Sequence, residues 1–432
     1  MGVGNGRKSD AVRPVRLIHC ADLHLGTPFK GVSELNPDMG DMLYQSTYMS
    51  FDNIVALAVK EKVDCVLIAG DVYDSEDKSL QAQLRFRNGL SQLSDAGIRT
   101  LVAYGNHDPL DGWSATLKWP VGVVAFPCDK VECIPLQEGD ETVAVVYGIS
   151  FAKRDTKENL SLRFPSAAEA VPRIGLLHAN VGTNTGHEPY APCSIEDLVS
   201  ANMDYWALGH VHRGRVLRPS KPAIAYPGCS QSRSSRETGP KGCYLVTLEF
   251  GVDPVIEFVP TDIVRYVSDS IDICTCLFLD EVIESIVDKC TGISDESDGR
   301  SLIIRLSLRG RTVLHSQLQR ANSISDMLSN IREQLVAKEP PIWLDRLSLD
   351  TAGTYDLDSL RQGNDFIADI VSVFDELENP ESQYWQELRG VFETLFDKWQ
   401  GHGYLEELPH ETLASLAGGA KERMLDMLLK ET

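Results

Sequence analysis

Five short polar clusters carry most of the chemical potential of this 432-residue chain: Asp22-Leu23-His24, Gly70-Asp71-Val72-Tyr73-Asp74, Gly105-Asn106-His107-Asp108, Leu177-His178 and Gly209-His210-Val211-His212. Imidazole, carboxylate and amide oxygen together bind borderline-to-hard divalent cations such as Mn²⁺, Fe²⁺ or Zn²⁺. The clusters contain no thiolate, which argues against a structural zinc. Asp22, His24, Asp71, Asn106, His178, His210 and His212 make seven donors, too many for one zinc-like centre. If Asp71 bridges, each of two ions receives four protein ligands and keeps room for water and substrate. Two such ions, about 3.5–4 Å apart, can share a hydroxide, lower its pKa and stabilise charge on a phosphoryl group during in-line displacement. His107, beside Asn106, suits a general acid or a donor to the phosphoryl or leaving oxygen, with Asp108 fixing its tautomer.

Taken singly, each cluster is ordinary. A lone DxH or GD carries no information, GNHD is most often a turn, and His178 after an apolar strand resembles a satisfied core histidine. Their order and placement make the case, because each follows directly on a predicted strand. Strands are expected at Arg16–Cys20, Cys65–Ala69, Thr100–Ala103, Val143–Gly148, Arg173–Leu177, Tyr205–Leu208, Ala223–Tyr226 and Tyr244–Phe250. Helices are expected at Met42–Glu61, Ser79–Ala96 and Ser194–Ser200. This alternation is the α/β signature, and the carboxyl ends of such strands are where ligand-binding loops converge.

After Pro260 the texture changes. Ile271–Leu279, Ser301–Leu308 and Trp343–Leu349 read as strands, with helices at Glu281–Lys289 and Ile324–Val336, enough for a small α/β module. From Asp356 only helix is expected, with one apolar stripe of Ile367, Ile370, Val371 and Phe374 and another of Tyr384, Leu388, Val391, Phe392, Leu395 and Trp399. The expected division is a tail of residues 1–14, a catalytic domain at 15–262, a small α/β cap at 263–352 and a C-terminal helical segment at 353–432.

The formal net charge of −22 argues against a protein that coats nucleic acid or an anionic membrane with its whole surface. The acidity is unevenly spread: residues 1–260 hold 31 acidic and 25 basic side chains, residues 261–432 hold 32 and 16. The first 14 residues are polar and mildly basic without an apolar core, and no long apolar run occurs, so a cytoplasmic protein without membrane attachment is expected. Ten scattered cysteines without a CxxC pair suit reduced, mostly buried thiols.

The ordered set DxH, GDxxD, GNHD, H and GHxH resembles the calcineurin-like metallophosphoesterase superfamily over roughly residues 15–260. His19-Cys20-Ala21-Asp22-Leu23-His24-Leu25-Gly26 and the GDVYD variant are similar to its SbcD-type DNA-repair nuclease branch. Pro28-Phe29-Lys30-Gly31, the run Gly186 to Cys193, Tyr226-Pro227-Gly228 with Gln231-Ser232-Arg233, and Lys241-Gly242 are similar to the YhaO-like proteins within it. The resemblance implies a four-layer α/β/β/α sandwich, completed by the small α/β cap and the C-terminal helices. It also implies one metal on Asp22, His24, Asp71 and His212, a second on Asp71, Asn106, His178 and His210, and a catalytic His107. The protein-phosphatase branch reads GDxxDRG and GNHE; here Ser75 and Glu76 follow Asp74 and the third motif ends in Asp108, which weakens a phosphoprotein substrate. Some archaeal repair nucleases carry a second functional histidine where Asp74 stands. Asp74 is expected instead as an outer-sphere carboxylate, and strand polarity stays open.

The leading expectation is a Mn²⁺-dependent DNA exonuclease or endonuclease in repair or end processing, with Fe²⁺, Zn²⁺ or Mg²⁺ as the other candidate ions. The alternative is a phosphodiesterase or phosphatase for small phosphate esters or nucleotides; a scaffold with degenerate chemistry is disfavoured by the complete donor set. Two cations bring about +4 to the site before ligand charges. Residues 211–241 hold Arg213, Arg215, Arg218, Lys221, Arg233, Arg236 and Lys241 against Glu237 alone. Arg213 and Arg233 are the preferred phosphate contacts, with His187 as a further substrate-facing candidate. From the nuclease branch come two partner expectations: an SbcC-like ATPase docked on the C-terminal helices, and a homodimer through the first two helices.

Overall fold

The computed structural model describes residues 13–27, 37–73, 79–112, 117–166, 169–182, 188–363, 365–377, 379, 381–399 and 410–429. Contacts divide the chain into two units, one of residues 1–267, 294–303 and 339–345, the other of residues 268–293, 304–338 and 346–432.

The first unit is built on two six-stranded sheets. One runs β12 (Val255–Pro260), β11 (Gly242–Leu248), β1 (Val15–Cys20), β2 (Cys65–Ala69), β3 (Arg99–Ala103), β4 (Val123–Ala125). The other runs β5 (Glu132–Glu138), β6 (Glu141–Ile149), β7 (Arg173–His178), β8 (Tyr205–Gly209), β10 (Ala223–Tyr226), β9 (Arg215–Arg218). The period of two along each strand separates the layers. Leu17, Leu67, Leu101, Ile174, Leu176 and Ala207 meet in a core between the sheets. Ile18, Val66, Ile68 and Val102 face outward onto Phe51, Ile54, Phe86 and Leu90 of the helices Pro37–Glu61 and Leu80–Asp95. Leu177, Trp206 and Leu208 face the other way, onto Phe151, Leu198 and Met203. Strands covered on both faces read as unbroken apolar runs, and β1, β2, β3, β7 and β8 do so because they are parallel neighbours within their sheets. The result is an α/β/β/α sandwich.

Helix ends follow local chemistry. The Ser79 hydroxyl accepts from the N–H of Ala82, and Ser194 forms a reciprocal capping box with Asp197 ahead of helix Ile195–Ser200. Four strands escape the sequence expectation: β4, β5, β9 and β12. They are the four outer edges of the two sheets. An edge strand buries less of itself and so lacks the apolar run that marks its neighbours.

A third sheet follows the order β13 (Val264–Asp272), β14 (Ser301–Arg311), β15 (Ile342–Ala352). The strand expected at Ile271–Leu279 is corrected here, because β13 ends at Asp272. There the carboxylate accepts from the N–H of Cys274, and Glu281 accepts from the N–H groups of Leu277 and Phe278 at the start of helix Leu279–Asp295. Alternating apolar residues across that turn imitate a strand, yet Leu277 and Phe278 stay exposed.

The second unit carries helices Ser323–Val336, Phe366–Leu377, Gln383–Trp399 and His410–Leu429. Of the two expected stripes, the first packs partly inward, with Val371 buried. Of the second, Tyr384 and Val391 are exposed and Leu388 is half-buried, whereas the neighbouring Trp385 is buried; the side chains of Phe392, Leu395 and Trp399 lie outside those described. No described helix is long and apolar enough to cross a membrane. All ten cysteines are free thiols, seven of them buried.

Candidate metal centre

The polar clusters sit at the carboxyl ends of β1, β2, β3, β7 and β8, where parallel pairing brings their loops together. The first two loops are zipped by their backbones: Asp22 N–H donates to Gly70 O at 3.0 Å, His24 N–H to Asp71 O at 3.0 Å and Leu25 N–H to Val72 O at 2.9 Å. Across the gap between the sheets, the Asp22 carboxylate accepts from the His210 N–H at 3.1 Å. Four donor residues hold left-handed backbone, Asp22 (φ 51°), His24 (φ 43°), Asp71 (φ 53°) and His210 (φ 104°). Such conformations cost about 1–3 kcal/mol each and persist only where the surroundings impose them. Gly105 is required by closeness: a Cβ there would lie 2.3 Å from Asp71 Oδ1 and 2.8 Å from His178 Nε2.

Side chains then converge. Ligand atoms of Asp22, His24 and His212 lie within 4.8 Å of one another, as do those of Asp22, Asp71 and His178. Asp71 Oδ2 is 3.9 Å from His24 Nε2 and 3.4 Å from His178 Nε2. Asn106 Oδ1 is 3.0 Å from His178 Nε2 and 3.2 Å from His210 Nδ1. All seven expected donors are thus brought to one place, six of them buried and His212 half-buried.

The donor set fits cations. His178 Nδ1 lies 2.8 Å from the Ala69 carbonyl and His210 Nε2 lies 2.9 Å from the Glu188 carbonyl, which assigns the ring proton to those nitrogens. The opposite nitrogens then turn lone pairs toward the oxygens of Asn106 and Asp71, so acceptor faces acceptor, an arrangement that positive charge reconciles. Carboxylate electrostatics agree. Burial and the charge of Asp71 push the Asp22 carboxyl well above its usual range. Burial acts on Asp71 in the same direction, but His178, His107 and His24 outweigh it and hold that carboxyl below its usual range. Burial and mutual repulsion thus disfavour charge on both carboxyls at once, and a cation between them would let both ionise.

His107 donates its backbone N–H to Asp71 Oδ1 at 2.9 Å, and its half-buried ring stands 4.9 Å from that of His24, edge to face. Asp108 was expected beside it as the group that fixes its tautomer; the hydrogen bonds of its carboxylate show a task that sequence reasoning missed. The buried carboxylate accepts backbone N–H groups from Gly105 (2.8 Å), Asp71 (3.2 Å), Val72 (2.6 Å) and Tyr73 (3.4 Å). It therefore ties the loop after β2 to the loop after β3.

Most of the basic stretch has internal duties. Arg215 stacks over Tyr226, Arg218 donates to the Lys221 carbonyl, and Lys221 pairs with Asp204. Arg233 reaches the His212 ring, with its guanidinium 2.9 Å from Nδ1, and Arg213 is exposed. Glu237, the single acid of this stretch, was not expected at the site, yet its Oε1 lies 2.9 Å from His212 Nδ1. Burial acts to raise its pKa, but the His212 hydrogen bond and the Arg233 charge outweigh that and bring it down to about 2. One acid among seven bases was the available signal. His187 and Asp74 lie outside the described residues, as does Pro28 to Gly31.

Comparison with known proteins bears on the same residues. The family described as calcineurin-like phosphoesterase matches residues 15–214, and the family described as metallophosphoesterase YhaO, middle domain, matches residues 268–352. An uncharacterized metallophosphoesterase YhaO of Bacillus subtilis is 33% identical over 343 residues, covering 79% of this chain and 83% of the relative. A DNA double-strand break repair protein Mre11 of Aeropyrum pernix is 31% identical over 263 residues, covering 56% of this chain and 60% of the relative. An SbcCD nuclease subunit of Bacillus subtilis is 24% identical over 258 residues, covering 52% and 64%. For these last two, the chain spans less than two thirds of the relative's length. With its fold, its clustered donors and its similarity to YhaO over most of both chains, the chain belongs to the calcineurin-like metallophosphoesterases, hydrolases of phosphoester bonds.

Proposed function

We propose that the chain is a dimetal DNA nuclease that hydrolyses phosphodiester bonds in repair or end processing. The observation that carries this reading is the convergence of seven oxygen and nitrogen donors beside the Arg213–Arg233 stretch, supported by similarity to Mre11 and to the SbcCD nuclease. In this reading Asp22, His24, Asp71 and His212 would hold one ion, and Asp71, Asn106, His178 and His210 the other, with Mn²⁺ proposed from among the divalent ions that this oxygen-and-imidazole set suits. Two such ions supply Lewis acidity and a bound water of lowered pKa. The half-buried His107 ring donates a proton to the leaving oxygen. Arg213 and Arg233 contact phosphates, and His187 lines the substrate path.

Residues 15–262 are proposed as the catalytic part, 263–352 as a cap and 353–432 as the surface for an SbcC-like ATPase. Exposed Phe366, Tyr384 and Val391 supply apolar area for that docking. Exposed Met49, Val59 and Leu80 on the first two helices supply it for a homodimer. Ten free thiols suit the cytoplasm.

Purified protein with Mn²⁺ should cleave labelled single- or double-stranded DNA. A rival reading, a phosphodiesterase for small esters, draws on the internal engagement of Arg215, Arg218 and Lys221. Turnover of p-nitrophenyl esters or cyclic nucleotides with DNA left intact would reject the nuclease. Truncation near residue 350 should spare metal binding and abolish ATPase association.

A further inference from the structure

Glu237 is separated from His212 by 25 residues, and the intervening chain returns to lie directly on the GHxH loop. Cys229 N–H donates to the His212 carbonyl at 3.1 Å. At Gly228 (φ 80°) a Cβ would stand 2.6 Å from that same carbonyl oxygen, so the contact excludes any side chain. Cys229 also forms a parallel bridge with Ala21, one residue before Asp22. This loop therefore borders two of the donor-bearing loops at once.

Its carboxylate is fixed from several sides. Glu237 Oε2 accepts the Arg233 backbone N–H at 2.6 Å and the Cys229 thiol at 3.8 Å. Ser232 Oγ donates to the Glu237 carbonyl at 2.7 Å, and Glu237 N–H closes a turn onto Ser234 O at 3.0 Å. The remaining oxygen, Oε1, meets His212 Nδ1 at 2.9 Å. An ionised carboxylate only accepts and a guanidinium only donates; with Arg233 Nη2 2.9 Å from Nδ1 and 3.2 Å from Nε2, the tautomer that serves both partners has its proton on Nδ1, toward Glu237, and its lone pair on Nε2. A ring nitrogen of His212 gathers with ligand atoms of Asp22 and His24, whose ring centroid is 5.2 Å away, and with Nδ1 directed at Glu237 the nitrogen that would serve an ion there is Nε2. The Arg233 guanidinium, 3.8 Å from Oε1, is placed at the ring edge by the same carboxylate.

We infer that Glu237 is a positioning residue for the metal centre: it sets the His212 tautomer that presents Nε2 to the ion shared with Asp22 and His24. The inference rests on the ligand set proposed above. Histidine ligands held in this way by a carboxylate lose about 10- to 100-fold in metal affinity when the carboxylate is removed.

The test titrates Mn²⁺ into metal-free full-length protein by calorimetry and reads the His212 tautomer from ¹⁵N ring resonances in the same preparation. Wild type should bind two equivalents. Glu237→Ala should weaken one equivalent by about 10- to 100-fold, leave the other unchanged and shift His212 toward Nε2–H. Glu237→Gln, whose carbonyl oxygen still accepts from Nδ1, should restore most of the affinity and the tautomer. Arg233→Ala, which removes a positive charge beside the ring, should weaken neither equivalent. Two wild-type affinities in Glu237→Ala, or the same selective weakening in Arg233→Ala, would overturn the assignment while sparing the ligand set. A single equivalent in wild type would overturn both. Should Glu237→Ala fail to fold, Glu237→Asp, too short to reach Nδ1, must show the selective weakening, and wild-type affinity there overturns the proposal.

Discussion

The backbone N–H of Val72 donates to the Asp108 carboxylate across 2.6 Å, joining the loop that carries Asp71 to the loop that carries Asn106. Three further N–H groups, from Asp71, Tyr73 and Gly105, end on the same buried carboxylate. Asp108→Ala strands those donors and should lower stability by on the order of 3 kcal/mol, with Asp108→Asn losing less because one oxygen remains. Urea denaturation measures this, and an unchanged midpoint would show that the loops hold together without the carboxylate.

His107 contacts Asp71 through its backbone N–H, which a side-chain substitution leaves in place. His107→Ala should therefore retain metal binding while kcat falls by about 10²–10⁴, the usual worth of a general acid. Calorimetry and turnover on one preparation check both halves. Loss of bound metal would make His107 a ligand rather than a proton donor.

Gly105 leaves no space beside Asp71 and His178. Gly105→Ala drives a methyl against Asp71 Oδ1 and should cost more than about 10-fold in Mn²⁺ affinity, at least that of losing an outer-sphere partner. Circular dichroism should show the fold kept. Normal affinity would mean that the two loops separate easily.

His19 is buried at the core between the sheets, with Nδ1 2.7 Å from the Tyr205 hydroxyl and Nε2 3.0 Å from the Leu208 carbonyl. Burial pushes its pKa down to about 3. The unfolded chain protonates this ring near pH 6.5 while the folded chain does not. Its contribution is thus complete above about pH 6.5 and shrinks by about 1.4 kcal/mol per unit as pH falls toward about 3. Between about pH 6.5 and 5.5, wild type should lose about 1 kcal/mol more than His19→Gln, the slope being only partly developed at the upper end of that window. Equal slopes in denaturant titrations would refute this.

The parts legible in the sequence are those written in local patterns. Helix Leu80–Asp95 shows its start in Ser79 and its buried face in Phe86, Leu90 and Leu93. The central strands show as apolar runs, and each donor cluster follows one of them directly. What stayed hidden depends on distant pairing. The edge strands β4, β5, β9 and β12 become strands through their neighbours. The lone acid Glu237 among seven bases stands out, but its neighbours do not name His212 as its partner, and nothing near Asp108 announces the N–H groups of the loop after β2. At Asp272 a side-chain acceptor turned a strand-like pattern into a corner.

Left-handed backbone at Asp22, His24, Asp71 and His210 means that the residues kept for chemistry are the ones the fold would most readily exchange. Glycine or asparagine at these positions would ease the chain. Loss of the donors is therefore the downhill direction for drift, and a descendant freed from catalysis would be expected to fold more robustly than this protein. A chain that still holds these four side chains stands uphill of that path.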